Sequence, residues 1–154
     1  MLKSGLIIGA VGLVLALGGS LITPLCVPCL ALFLGLAAGY LSGVFDKPGQ
    51  NSEALKKGAL SGAIASLGTI IGQIIGALIN AATVDAAQAA EIMKEFGYAV
   101  PGDMESFYAI GQIGGTVCFS FLDIIMMALF GLLGGILWWK MTGEKQSQPT
   151  IIEG

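Results

Sequence analysis

Apolar residues run along this chain in four long, nearly unbroken stretches: residues 5–22, 26–45, 58–83 and 109–139. Shorter segments where Pro, Asn, Asp, Lys and Glu collect separate them. A helix crossing the hydrocarbon needs ~20 mostly apolar residues, and the stretches match that length. They are continuous rather than alternating, so a closed barrel does not fit. Backbone N–H and C=O groups find no water inside a bilayer, so each stretch predicts a helix. The expected fold is an all-α integral membrane protein. Residues 1–141 form one four-helix domain, and the polar residues 142–154 form a flexible tail. Lys3, the apolar run behind it and Gly18-Gly19-Ser20 also fit a cleavable secretory signal over residues 1–20. Continuation of that run through Leu21 and Ile22 favours a span.

The connections sharpen this picture. Pro24 ends the first helix, and Pro28 suits the first turn of the second, where its missing N–H is no loss. Pro48-Gly49 breaks the chain again, and Asn51-Ser52 reads as the N-cap of span three. The third connection differs. Residues 84–96 are strong helix formers without a breaker, Gly97 sits where a left-handed C-cap belongs, and Asp103 is a fitting N-cap with Glu105 behind it. Spans three and four are therefore expected to continue beyond the bilayer as an antiparallel hairpin over residues 84–108. At 1.5 Å per residue it projects ~20 Å. A break near Asp85, with a short helix lying on the surface, is the alternative. The acidic hairpin residues Asp85, Glu91, Glu95, Asp103 and Glu105 read as a solvated face, and nothing has EF-hand spacing.

Charge then orients the bundle. Of the seven basic residues, all Lys, six flank one side (Lys3, Lys47, Lys56, Lys57, Lys140 and Lys145) and Lys94 alone falls on the other. The positive-inside bias places both termini in the cytoplasm, in a bacterial or archaeal plasma membrane. Trp138, Trp139 and Lys140 then read as the interface anchor of span four. Only 11% of residues are charged and mean hydropathy is +0.87. A water-soluble globule is excluded, because soluble domains carry about a quarter charged residues. Nucleic-acid binding is excluded by the net charge of −3 and by the absence of a basic cluster. The chain has no His, so no triad, imidazole proton shuttle or His-ligated zinc is available. No metal site and no cofactor are expected.

Glycine carries the packing signal. Many of the 24 Gly recur at four-residue spacing inside the spans. They are Gly5 and Gly9; Gly35, Gly39 and Gly43; Gly58 and Gly62; Gly68, Gly72 and Gly76; Gly111 and Gly115; and Gly131 and Gly135. Such spacing puts small residues on one helix face and lets backbones approach closely. The ladders resemble glycine-zipper segments, a packing motif without a function of its own. They either close the bundle on itself or drive association with copies or other subunits.

Polar groups within the spans are few. Asp123 is the ionisable residue well inside one, fifteen residues before Trp138. Gln73 lies fifteen residues after Gly58, at nearly the same depth on the antiparallel neighbour. The two are expected to face each other and hydrogen-bond. Intramembrane carboxyls are functional candidates, so a small channel or transporter using Asp123 and Gln73 is one reading.

Cys26-Val27-Pro28-Cys29 places a CxxC at the outer end of span two, and Cys118 maps toward the same side. Four spans with a CxxC just before the second resemble the DsbB family of quinone-coupled disulfide-forming membrane proteins. That resemblance implies a thiol–disulfide oxidoreductase using Cys26 and Cys29. The chain departs from that family in two ways: residues 85–106 contain no second Cys pair, and span two carries no basic residue for the quinone. The leading expectation is a non-catalytic, accessory or self-assembling subunit of a membrane complex. Its partners are then lipid and either copies of itself or other membrane subunits.

Overall fold

The computed structural model describes residues 1–22, 26–83, 86–98 and 104–147. Among these there is helix and no strand: α1 (Leu2–Ile22), α2 (Cys26–Asp46), α3 (Asn51–Thr83), α4 (Ala86–Glu95), α5 (Met104–Trp138), a π-helical stretch (Trp139–Gly143) and α6 (Glu144–Ser147). Four helices are long and apolar enough to cross a membrane. α3 begins seven residues before its apolar run. Glu53, Lys56 and Lys57 suit a helix even though they do not suit hydrocarbon. The Gln50 carbonyl accepts the Ala54 N–H at 3.1 Å, which moves the cap one residue ahead of the expected Asn51.

α3 is the central helix and packs on α1, α2 and α5; α2 also packs on α1 and α5. The two ends of the bundle are distinct. Met1 lies against Asp46, Gly135 against Ala54 and Gly43 against Trp138, so one end gathers the starts of α1 and α3 with the ends of α2 and α5. At the other end, the Asn80 side chain donates to the Ser20 carbonyl at 3.1 Å, joining the end of α3 to that of α1.

The interior is small and the surface is large, the reverse of a soluble fold. Ala31, Ala38, Ala54 and Ala65 are fully buried, together with Ser4, Ser42, Ser61 and Ser66, while Phe33, Leu78, Ile110 and Phe121 face outward. Helices in lipid gain nothing by hiding Leu from Leu-like tails, so backbones close on small residues and gain dispersion contacts. A methyl group added at Gly39 or at Gly58 would strike the Gly131 carbonyl, one at Gly62 the Met127 carbonyl, and one at Gly68 the Gly9 carbonyl. At Gly35 it would sit 2.8 Å from the Met127 oxygen, at Gly72 2.5 Å from that of Leu13, and at Gly5 2.8 Å from Ile64. Gly76 meets the Ser20 hydroxyl, and Gly135 meets the Ala54 carbonyl. Three further close-packed glycines lie outside the four-residue ladders: Gly12 on Thr69, Gly134 on the Leu36 carbonyl and Gly143 on the Trp139 ring.

Two expectations change. Trp138 turns into the bundle. Its ring is buried over Gly43 and Gly143, because two residues without side chains leave room for an indole. Trp139 is half-buried with its ring centroid 6.5 Å from that of Trp138, and Lys140 is exposed. The segment read as a tail starts out helical: the Glu144 N–H bonds the Trp139 carbonyl, five residues back, and α6 follows through Ser147. The third connection contains its own helix, α4, which contacts α5. It ends as expected at Gly97, with φ +77°, where Gly97 N–H bonds the Lys94 carbonyl and Tyr98 N–H that of Met93, both at 2.9 Å. That pairing is the Schellman motif, which satisfies the last carbonyls of a helix. The expected hairpin and the breaks at Pro24 and near Asp85, like the caps around Asp103, turn on residues outside those described.

Candidate functional site

The site is built where α3 meets α5. Gly72 and Gly76 bring α3 close to α1, and Gly62 brings it close to α5, so the polar side chains between them are enclosed. Gln73 is 7% exposed and Asp123 only 1%. The Gln73 side-chain amide donates to Asp123 Oδ2. The Ser120 hydroxyl, one turn earlier on α5, donates to Gln73 Oε1 at 3.4 Å. One turn along, the Thr69 hydroxyl donates to the Ser66 carbonyl at 2.8 Å and reaches Met127 Sδ at 3.6 Å. Asp123 Oδ1 is buried with no hydrogen-bond partner.

Burying a carboxylate is costly unless it is paired with a cation. Along α3 the nearest cation is Lys57, sixteen residues before Gln73, or ~24 Å at 1.5 Å per residue. Along α5 it is Lys140, seventeen residues after Asp123, or ~26 Å. A neutral amide supplies one donor and no charge. The arrangement offers one carboxyl oxygen fully served and one left over.

A second polar cluster, at the opposite end of the bundle, was not singled out from the sequence. The hydroxyls of Ser4 and Ser61 lie 2.9 Å apart, and Ser61 donates to the Ala38 carbonyl at 3.0 Å, tying α1, α3 and α2 together. Ser42 donates within its own helix to the Gly39 carbonyl at 2.8 Å. Each of these buried serines immediately precedes a ladder glycine (Gly5, Gly62 and Gly43), a local signal that could have located them.

Other predicted positions stay apart from the site. Cys29 and Cys118 are exposed free thiols. Among the described residues, nothing lies within 4 Å of a methyl group added at Gly111, Gly115 or Gly114 between them. They lie on the first half of α5, among the exposed Ile110, Ile113 and Val117. Among the described residues no cluster of three or more His, Cys, Asp or Glu is placed to hold a metal ion.

Comparisons of the chain with protein-family models, with curated proteins and with solved structures give no match. The class therefore rests on the chain's own physics. Four apolar helices, an interior of small residues and a surface of large ones describe a multi-pass helical membrane protein.

Proposed function

We propose that this chain is a non-catalytic membrane subunit that associates laterally through the first half of α5, with both termini cytoplasmic in a bacterial or archaeal plasma membrane. One observation carries the reading: among the described residues, a methyl group added at Gly111, Gly114 or Gly115 meets nothing within 4 Å, unlike most other span glycines, where it would abut a neighbour. Glycine inside a helix costs about 1 kcal/mol against Ala in water. Within the bundle, close backbone contact offsets that cost. At Gly111 to Gly115 the compensating contact comes from outside the chain. The adjoining apolar residues follow helical spacing, with Ile110, Val117 and Phe121 on the same side. The lysines gathered at the Met1 end supply the orientation.

The test uses the chain itself. Cys118 lies seven residues after Gly111 and so shares its face. With Cys26 and Cys29 replaced by Ser, mild oxidation of native membranes is expected to trap Cys118 in a disulfide-linked dimer, or in a crosslink to another subunit. Native mass spectrometry should then give the copy number. A monomer by native mass spectrometry, with Cys118 unreacted after mild oxidation, rejects the assembly reading.

A further inference from the structure

We propose that Asp123 is an intramembrane binding site for a single small cation, and that the occupant its donor set fits is a proton carried on the carboxyl group. The site is enclosed, so whatever balances the charge has to fit among the side chains already described. Asp123 is 1% exposed, and of its two oxygens Oδ2 takes the Gln73 amide while Oδ1 has no partner. A metal cation such as Na⁺ or Ca²⁺ asks for about six oxygen ligands. Here the candidates are the two carboxyl oxygens, Gln73 Oε1 and the Ser120 hydroxyl, and Ser120 already engages Gln73. That set is too small for a metal ion and sufficient for a proton. Among the described residues, the elements packed on α5 supply no alternative counter-charge. On α3 the charged groups Glu53, Lys56 and Lys57 lie at the far end. α2 contributes Cys29, Tyr40 and Asp46. α4 contributes Glu91, Lys94 and Glu95, and the π-helical stretch contributes Lys140, seventeen residues after Asp123. α5 itself adds Tyr108, which accepts the Gln112 amide at 3.1 Å, and the exposed Cys118. A proton bound at Asp123 removes the buried charge and leaves the Gln73 hydrogen bond in place. The pair then serves as a site that takes up and gives back one proton inside the membrane.

Two readouts on the full-length chain in liposomes test this. The apolar reagent dicyclohexylcarbodiimide adds to protonated carboxyl groups in hydrocarbon, and at neutral pH it is expected to place one adduct on the α5 peptide at Asp123. Asp123→Asn is expected to take none. Infrared spectroscopy is expected to give a protonated-carboxyl C=O band at neutral pH that vanishes in Asp123→Asn and moves when the protein is made with ¹³C-labelled aspartate. The isotope experiment needs no variant, so it holds even where Asp123→Asn fails to fold. A carboxylate band for Asp123 throughout the neutral range, with or without a carbodiimide adduct, overturns the proposal. So does an adduct that sodium ions, rather than rising pH, suppress, since it assigns the site to a metal cation.

Discussion

Gln73 on α3 donates its amide to one oxygen of Asp123 on α5 and leaves the other oxygen buried and alone. The pair is therefore asymmetric in energy. Removing the amide leaves a buried carboxyl with neither oxygen served, at a cost of roughly 1–3 kcal/mol, whereas replacing both partners with apolar groups of similar shape is close to neutral. Gln73→Leu alone is expected to destabilise the bundle, and adding Asp123→Leu to recover most of the loss. Equilibrium unfolding in mixed micelles, run as a double-mutant cycle, measures the coupling. Strictly additive losses would show that the two side chains act separately.

Glycines that look equivalent along the chain should behave differently. A methyl group at Gly39 meets the Gly131 carbonyl, a backbone atom that cannot swing aside. Gly39→Ala is expected to push α2 away from α5 and cost about 1–3 kcal/mol, the usual range for overpacking. Gly111→Ala meets nothing within 4 Å among the described residues. It is expected to leave the unfolding midpoint of the monomer unchanged or slightly raised, while reducing the crosslinked fraction at Cys118. A Gly111→Ala variant that unfolds as early as Gly39→Ala would contradict the packing described here.

Ser61 joins three helices through Ser4 and the Ala38 carbonyl. Interhelical hydrogen bonds in membranes are modest, about 1 kcal/mol each. Ser61→Ala is therefore expected to lower stability by about 1 kcal/mol without changing the fold, as read by unfolding in mixed micelles and by unchanged circular dichroism.

Two backbone positions carry opposite expectations. Lys47 has φ +37°, a left-handed conformation that costs a side-chain-bearing residue ~1–2 kcal/mol. Lys47→Gly is expected to stabilise the bundle by up to about that amount. At Gly97, φ is +77°, so Gly97→Ala is expected to loosen the end of α4. Hydrogen exchange should quicken at the Gly97 and Tyr98 amides while protection in α1, α2 and α3 stays as it was. Faster exchange across the whole chain would show that α4 is integral to the bundle.

Much of the architecture could be read from local pattern. The four apolar runs predicted four helices, since length and continuity alone decide what can cross hydrocarbon. Depth counting also placed Gln73 opposite Asp123, because two antiparallel helices of constant rise align residues at equal distance from one membrane face. The cap at Gly97 was legible because a left-handed residue after a run of helix formers calls for glycine. Other features were not legible. Trp138-Trp139-Lys140 looks like an interfacial belt, yet Trp138 turns inward over Gly43, a residue 95 positions earlier. Four-residue spacing picked out Gly111 and Gly115 as readily as Gly131 and Gly135, and it missed Gly12 and Gly134. Spacing defines a helix face but not which neighbour that face meets.

The sequence by itself determined that this chain is built of helices long and apolar enough to cross a membrane and that Asp123 lies within one of those apolar runs, because hydropathy and helical rise are properties of one segment at a time. The tertiary structure decided which glycines close the bundle and which remain uncovered, that three serines are buried beside them, and that one oxygen of Asp123 is left without a partner. Those outcomes depend on the rotation of each helix about its own axis, and that rotation is set by the mutual fit of small residues on several helices at once.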